Sequence, residues 1–493
     1  MQEEFFDALR HIFILLWIGS FFPCILVHAS NIVPDKSNEI EIRAFRLQQY
    51  EFAGKPYGSK SWKVLYEAVS LNGSTLRKCV LVSWRDLVNK ELESTIGAAV
   101  GAVVVAIPED LNALTENEKQ AFQSLEQKFY NFRTEQGRIL RSKHTYVQHL
   151  YNSVAANNFQ ISSSNSATSN LVTLKNYNVL GHLNAGERGK PYIFVVAYYD
   201  THSMAPVRFN SGVDSNGSGV ATLLEILAIL SRFYSDAGNR AKYNIVFVLS
   251  TAGKFNYQGS RQWIEDFQEK HSDENVVFSL CLDASRCGVQ ENQLVCRSVG
   301  LEHEVYNIRR IHALTISHFD NHLNPMRNSM LDTRESVDVD ALEKNVKTIA
   351  NALVSFVYEL DPSLCSTNQS KNGCSLLTGS SGVNRQRLVG WLDTFGSSPR
   401  SIASAHTSKV VVADLKDIVG RYADKAVLAE VNVADYVLYD VFEDNLSADI
   451  VKPAIFELFL AVLICAYLFV IYQFSLHAQS ILETSIVRLK KLT

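Results

Sequence analysis

Apolar runs of strand length alternate with amphipathic stretches through the middle of the chain. The runs from Tyr192 to Ala197, Tyr243 to Ser250 and Val276 to Leu282 are continuous, which is typical of strands buried on both faces of a sheet. The stretch from Ser218 to Tyr234 has the apolar spacing of a helix with one buried side. Strands alternating with helices predict a mostly parallel α/β/α sandwich, which a last helix from Val339 to Leu360 completes.

A smaller unit precedes this domain. Strand-like runs from Val64 to Val69, Cys79 to Ser83 and Ala102 to Ile107 alternate with polar helical stretches, which predicts a small N-terminal α/β unit. The polar segment from Ile161 to Asn170 is predicted as a loop or linker between the two units. The stretch from Ala403 to Asp440 follows the sandwich and carries no clear assignment.

Two longer apolar runs frame the chain. The first, from Ile12 to Val27, precedes a cleavage-like sequence at Ala29, so it is predicted to be a signal peptide; an uncleaved anchor is the alternative. The second, from Ala454 to Tyr472, holds one charge, Glu457, and is long enough to cross the ~30 Å apolar core of a bilayer as a helix.

The charges on either side of the second run predict its orientation. Arg488, Lys490 and Lys491 follow the run, whereas acidic residues precede it, so the tail is cytosolic and the body lumenal in a single-pass type I topology. Lys490 and Lys491, fourth and third from the C-terminus, resemble the dilysine signal that returns membrane proteins to the endoplasmic reticulum. The alternative is that these lysines serve only the topology.

The predicted organisation follows from these patterns. It comprises a signal peptide (1–29), an N-terminal lumenal α/β region (30–160), the sandwich domain (161–361), a C-terminal lumenal segment (362–453), a transmembrane helix (454–472) and a cytosolic tail (473–493).

Charge and cysteine usage change this picture little. A net charge of −4 gives no reason to expect a nucleic-acid partner. Cys365 and Cys374 close a short polar loop and are a candidate disulfide; a second pair, Cys287 with Cys296, stays open. Cys79 and Cys281 lie in apolar runs and are predicted to be buried thiols.

Sequons mark where glycans can attach on the lumenal side. Asn72, Asn368 and Asn445 are candidate glycosylation sites, although Asn445 is close to the membrane. Asn216 also lies in a sequon, but its place between a strand and a helix predicts that it stays unmodified.

Three sequence blocks carry the chemical signal. They are Ile193 to Asp200, Gly212-Val-Asp-Ser-Asn-Gly-Ser-Gly219, and Tyr243 to Lys254 running on to Gln258-Gly-Ser260. Each resembles a block of the co-catalytic di-zinc aminopeptidases. The strings 214–219 and 253–259, with Cys281-Leu-Asp283 and the segment from His318 to Asp332, resemble the nicalin family, a catalytically degenerate and nicastrin-like branch.

The resemblance shows that most catalytic residue types have been replaced. In the active enzymes the first block ends His-Tyr-Asp, the second carries a metal-bridging Asp, and the third carries a Glu-Glu pair. The matching positions here are Tyr198 for the first His, with Asp200 retained, Ser215 for the bridging Asp, Gly253 and Lys254 for the Glu pair, Asp283 for a retained metal-binding carboxylate, and Asn328 for the final His.

Lys254 argues most strongly against a metal site. An ammonium about 4 Å from a dication is repelled by roughly 8 kcal/mol at an effective dielectric constant of 20. We therefore predict no cofactor and no peptidase activity. We expect Lys254 to supply the charge of the lost metal by pairing with Asp200, Asp214 or Asp283.

Two other functions compete with a non-catalytic one. An active aminopeptidase with a rebuilt site would use Asp200, Asp214, His202, Asp283 and a downstream His. A peptide-binding receptor would hold a chain terminus in the cleft without cutting it.

The resemblance to the nicalin family implies a non-catalytic lumenal subunit of a membrane complex in the endoplasmic reticulum. It implies a Nodal modulator-like lumenal membrane protein and a small multi-spanning membrane protein as partners. It also implies an association with the translocon and its membrane-protein clients, and links to receptor assembly and Nodal-type signalling.

Overall fold

The computed structural model describes residues 40–46, 50–52, 55–57, 65–70, 78–88, 101–108, 110–131, 137–141, 159–163, 174–187, 189–204, 212–283, 300–319, 322–360, 376–433, 435–439, 443–450 and 454–492. The predicted signal peptide, the sequons at Asn72 and Asn368, and the cysteine pairs 287/296 and 365/374 lie outside these residues. They remain predictions.

Sixteen strands are described. They are β1 Ile40–Arg46, β2 Tyr50–Phe52, β3 Lys55–Tyr57, β4 Leu65–Ser70, β5 Cys79–Ser83, β6 Ala102–Ile107, β7 Gly137–Arg141, β8 Phe159–Ser163, β9 Asn176–Leu183, β10 Tyr192–Tyr198, β11 Asn244–Ser250, β12 Val276–Leu282, β13 Ala313–Ile316, β14 Lys425–Val431, β15 Tyr436–Leu438 and β16 Glu443–Ile450.

Helices connect and cover these strands. The α-helices are Trp84–Val88, Glu116–Asn131, Gly219–Tyr234, Gln258–Lys270, His303–Ile308, Val339–Val357, Arg385–Ser397, Val412–Tyr422 and Ala454–Leu492. Shorter 3₁₀ or π turns cover Val213–Ser218, Ala237–Asn239, Pro325–Asn328, Arg334–Ser336, Gly379–Ser381 and Thr407–Val411.

The predicted sandwich is confirmed. Its six-stranded sheet has the order β13-β12-β10-β11-β9-β14, in which β10 to β13 are parallel and β9 is antiparallel to both of its neighbours. The three predicted central strands form as β10, β11 and β12, because continuous apolar residues fill both faces of the sheet. The carboxyl ends of these strands meet at one edge, where sites of α/β sheets lie.

Helices pack on both faces of this sheet. Helices Gly219–Tyr234, Val339–Val357, Arg385–Ser397 and Val412–Tyr422 cover one face around a large apolar core. Trp263, Ile264 and Phe267, together with Val305 and Tyr306, cover the other. The sheet is therefore buried on both sides, as the absence of polar alternation in its strands predicted.

The N-terminal unit is a closed barrel. Its seven strands have the order β1-β16-β8-β4-β5-β6-β7, and β7 pairs back with β1. Small and apolar residues, including Ala44, Ala102 and Ala448, fill its interior. The predicted loop at 161–170 is wrong for its first three residues, because Ile161 to Ser163 pair with β16 and continue the barrel wall.

Residues after 362 contribute to both units. Strand β14 extends the central sheet, and β16 inserts between β1 and β8 of the barrel. Helix Arg385–Ser397 is tied to the core by Arg387, whose guanidinium donates to both carboxylate oxygens of the fully buried Glu225 at 2.7 and 2.6 Å. The C-terminal segment is thus integral to the fold, whereas its sequence pattern alone gave no assignment.

Two described helices are long and apolar enough to span a membrane. The apolar window of one, Val213–Tyr234, is buried in the sandwich, whereas that of the other, Leu458–Ala478, has no buried residue. Burial identifies the first as a core helix, which leaves the second, within Ala454–Leu492, as the candidate span at the position that the sequence predicts.

Candidate functional site: a charge-filled peptidase cleft

Loops at the carboxyl edge of the central sheet bring the predicted site residues together. Tyr198 ends β10, Asp283 follows β12, and Lys254 lies in the turn after β11. Ser215 lies in the turn Val213–Ser218 that leads into the central helix. The side chains of Tyr198, Ser215 and Asp283 are at most 1% exposed, so the site is an interior cluster.

Asp283 is the centre of this cluster. Its Oδ2 atom lies 2.5 Å from Nη1 of Arg327, and its Oδ1 atom accepts a 2.8 Å hydrogen bond from the hydroxyl of Tyr198. Burial and the negative charge of Asp283 both raise the pKa of Tyr198 well above its ordinary value, so the phenol stays protonated and donates. The carboxylate that would bind a metal in the active family therefore faces a guanidinium on one oxygen and a phenol on the other.

Arg327 is the residue that the sequence reasoning missed. It lies in the turn Pro325–Asn328, directly before Asn328, which matches the final His of the active family. Nη2 of Arg327 also lies 3.2 Å from the hydroxyl of Tyr257. Burial opposes the charged guanidinium, but Asp283 and the two tyrosines outweigh that effect and raise the pKa of Arg327. The signal available in the sequence was this arginine itself, a basic residue next to the position where the final His ligand has been lost.

The predicted role of Lys254 is therefore wrong. Its ammonium donates to Oγ of Ser215 at 2.7 Å and to the carbonyl oxygen of Arg327 at 2.6 Å, and the described ion pairs do not include one between Lys254 and Asp200, Asp214 or Asp283. Burial, and next the charge of Arg327, lower its pKa from 10.5 to about 7. Arg327 takes the ionic role because its guanidinium is the cation that reaches the carboxylate of Asp283.

The replacements at Tyr198 and Gly253 are linked by a steric constraint. A Cβ atom placed on Gly253 would lie 2.2 Å from Cγ of Tyr198, closer than packed atoms approach. The tyrosine ring thus occupies the volume that a side chain at position 253 would need. Once Tyr198 is present, a glutamate at 253 cannot coexist with it in this arrangement.

Two other carboxylates accept hydrogen bonds from backbone amides rather than bind a ligand. Asp200 accepts from the amides of Gly253 and Lys254 at 2.7 and 3.1 Å. Asp332, which the sequence reasoning did not single out, accepts from the amides of Asp214 and Ser215 at 2.7 and 2.8 Å. Burial raises the pKa of both carboxyl groups, whereas the hydrogen bonds from the backbone amides lower it. Both acids fix the turns that carry the replaced residues.

The side chain of Asn216 holds the turn before the central helix. Ser218, which precedes that helix, makes no capping hydrogen bond through its side chain. The buried amide of Asn216 instead donates to the carbonyl oxygens of Tyr198 and Leu282, at 3.1 and 2.8 Å, and so bridges β10 and β12. This burial agrees with the expectation that the Asn216 sequon stays unmodified.

The residues of the rebuilt-site alternative are dispersed. Asp214 lies 3.3 Å from Nε2 of His318, whereas His202 packs edge-on against Phe255, with ring centroids 5.0 Å apart. Burial lowers the pKa of His202 to about 3. Within the described ranges, three or more His, Cys, Asp or Glu side chains are nowhere grouped to hold a metal ion. The side chains around Asp283 do not suit a zinc ion, because the guanidinium of Arg327 occupies the place beside its carboxylate.

Comparison with known proteins identifies the family of the chain. A family model for peptidase family M28 matches residues 178–344, the part that contains the cleft. In an alignment 563 positions long, the chain is 30% identical to nicalin of Caenorhabditis elegans, with 100% of both chains covered. The chain belongs to the nicalin family.

Two further similarities fit this assignment. The chain is 28% identical to a Homo sapiens protein named BOS complex subunit NCLN, with 92% of each chain covered. Its fold is similar to the crystal structure of nicastrin, the gamma-secretase component, with a TM-score of 0.55 and 10% identity over 83% of this chain and 99% of that one. At that identity the second similarity concerns the fold alone.

The Asp283–Arg327 pair should be a major contribution to stability. Replacing Arg327 by Met leaves a buried carboxylate without its counter-charge, so we expect the free energy of unfolding to fall by about 3–5 kcal/mol. Adding Asp283→Asn should recover part of that loss. The control is Arg334→Met in the next turn, which breaks an exposed pair with Asp393 and should cost less than about 1 kcal/mol. Equal effects of the two single variants in chemical denaturation would contradict the central role of Arg327.

Lys254 should give the fold a distinctive pH dependence. Between pH 7 and 10.5 the folded protein has released the Lys254 proton that the unfolded chain still binds, so stability should rise with pH across that window. The Lys254→Met variant lacks this contribution, and the stability difference between the two proteins should shift in favour of the native chain as pH rises. Parallel stability–pH curves for the two proteins would show that Lys254 keeps an ordinary pKa.

Proposed function

We propose that this nicalin-family chain is a non-catalytic subunit of a membrane protein complex of the endoplasmic reticulum, with its peptidase-like unit in the lumen. The observation that carries the proposal is the Asp283–Arg327 pair. A co-catalytic zinc enzyme needs anionic or neutral ligands and a nearby general base. Here a guanidinium fills the place of the metal charge, and glycine and lysine stand where the base would be.

The geometry of the site also suggests a competing activity, in which a lysine activates a serine nucleophile. Ser215 Oγ lies 2.7 Å from Nζ of Lys254, and a serine beside a neutral lysine is a known nucleophile–base arrangement. Ser215 is fully buried, however, and its hydroxyl also lies 3.2 Å from that of Tyr198 within the packed cluster. A nucleophile needs contact with its substrate, so the burial favours a structural role for this pair. The same burial weighs against a cleft that holds peptide ends.

The sequence supports the location. The exposed apolar helix, the basic residues that follow it, and the lysines at 490 and 491 fit a type I protein that is retrieved to the endoplasmic reticulum. Asn445 is exposed on β16, on the side of the membrane that carries the body of the protein, as a lumenal glycan site requires.

The proposed partners are taken from the names of related proteins and from the family resemblance. Proteins named BOS complex subunit NCLN align with nearly the whole chain, which supports assembly into a membrane complex. The resemblance to the nicalin family suggests a Nodal modulator-like lumenal membrane protein, a small multi-spanning protein and the translocon with its clients. In this proposal the peptidase-like unit supplies a rigid surface rather than chemistry.

Metal content is the direct test of the non-catalytic site. The chain purified in mild detergent should contain far less than one zinc per molecule by elemental analysis, should cleave no aminoacyl substrate, and should resist labelling of Ser215 by a fluorophosphonate probe. A related active aminopeptidase treated in parallel controls for metal loss. Two zinc ions per chain would support the rebuilt enzyme, and labelling that disappears in Lys254→Met would support the serine nucleophile.

Retention in the endoplasmic reticulum should depend on the tail. Changing Lys490 and Lys491 to Ser should let overexpressed protein reach the Golgi, where its glycans would become resistant to endoglycosidase H. Arg488 still favours the cytosolic side, so the topology should survive. Arg488→Ser alone is the control and should stay sensitive. Full sensitivity of the double variant, when it is in excess over its partners, would show that other contacts retain the protein.

A further inference from the structure

One buried carboxylate joins the barrel to the loop that carries Arg327. Glu126 lies in the helix Glu116–Asn131, whose apolar face packs against barrel strands β5 and β6. Its Oε1 atom accepts from the amide of Met330 at 2.8 Å, and its Oε2 atom accepts from the hydroxyl of Ser329. Ser329 and Met330 follow Arg327 by two and three positions along the chain, so this carboxylate fixes the loop to the helix.

The same helix contacts the loop at a second point. Gln123, one turn before Glu126, donates from its side-chain amide to the sulfur of Met326. Met326 and Ser329 lie on the two sides of Arg327 in the sequence, so the helix holds the loop both before and after the arginine. Of the two helix side chains, only that of Glu126 can gain or lose a proton.

Glu126 is buried without a counter-charge among the described residues. Only 2% of it is exposed, and its two hydrogen bonds come from a neutral amide and a neutral hydroxyl. The charged side chains on the elements packed around it have other partners or face solvent. They are Arg85 with Glu118, Lys119 with Glu116, Arg327 with Asp283, Arg334 with Asp393, Lys128 with the carbonyl oxygen of Val88, Asp332 with the amides of Asp214 and Ser215, Glu335 with the side chain of Asn112, and the exposed Asp86.

A buried carboxyl group in such surroundings favours its neutral form. Burial raises the pKa of Glu126 to about 7, and the two hydrogen bonds lower it by less. The neutral group can keep both contacts, because its carbonyl oxygen accepts from the amide of Met330 while its O–H group faces the hydroxyl of Ser329. The ionised group keeps them only at the cost of a buried charge. The contact between the helix and the loop is therefore stronger when Glu126 carries its proton.

We propose that Glu126 is a proton-controlled joint, which fastens the barrel helix to the Arg327 loop at mildly acidic pH and loosens it at neutral pH and above. The inference goes beyond the proposed function, because the joint is internal to the chain and needs no partner. When the joint opens, water reaches Glu126 and its pKa returns to the ordinary carboxyl value. The closed joint keeps a proton up to about pH 7 that the opened one has already released, so closure weakens as the pH rises through that window.

Hydrogen exchange at the amide of Met330 measures this joint directly. The full chain in mild detergent would be compared on the two sides of the Glu126 pKa, with rates corrected for the intrinsic effect of pH on exchange. We expect the protection of this amide to be about tenfold lower at about pH 8 than at about pH 6. In Glu126→Gln, whose side chain offers a carbonyl oxygen and a donor without a charge, protection should be equal at both pH values. Glu116→Gln, in an exposed pair on the same helix, is the control and should behave as the native chain.

Ser329→Ala provides a second test, which stands even if Glu126→Gln does not fold. It removes a donor to the ionised carboxylate, so the pH at which the protection of Met330 levels off should move upward. A levelling-off pH that stays the same or moves downward would overturn the proposal. So would a native chain and a folded Glu126→Gln variant with the same dependence of protection on pH.

Discussion

The buried ion pair between Asp283 and Arg327 is the interaction on which the cleft depends. Removing two charges from water costs free energy that only close geometry and further hydrogen bonds restore. The two charges are 2.5 Å apart, and the hydroxyl groups of Tyr198 and Tyr257 lie around them. In a zinc peptidase a metal would balance this carboxylate. Here the chain balances it with its own side chain, so the fold needs no metal to bury Asp283.

The other replacements follow from that change. Tyr198 donates to Asp283 and fills the space beside Gly253, which excludes a side chain there. Lys254 then lies near a guanidinium, and its lowered pKa relieves the repulsion between two cations. Asp200 serves as a backbone acceptor. The residues of the former active site have thus become one packed and hydrogen-bonded unit.

This unit is connected to the barrel and, through the barrel, to the apolar C-terminal helix. Glu126, on the helix beside the barrel, accepts from the amide of Met330 at 2.8 Å and so holds the loop that carries Arg327. Strand β1 pairs with β16, and β2 pairs with β15, along the same two chain segments. At one end Tyr50 packs on Phe255 beside the cleft, and at the other β16 leads into the apolar helix.

The sequence by itself determined the sandwich, its central strands and the apolar C-terminal helix. These features are local: continuous apolar runs and helical spacing. Cys79 and Cys281 were also predicted correctly as buried thiols for that reason.

Only the tertiary structure decided which groups meet. The barrel closes because β16 inserts next to β1, and a pairing between residues nearly the whole chain apart leaves no local signal. Arg327 replaces the metal charge because its turn folds over Asp283, whereas sequence proximity to the motif pointed to Lys254. The pairing of charges depends on which side chain reaches the buried carboxylate, and that geometry is set by packing between distant segments.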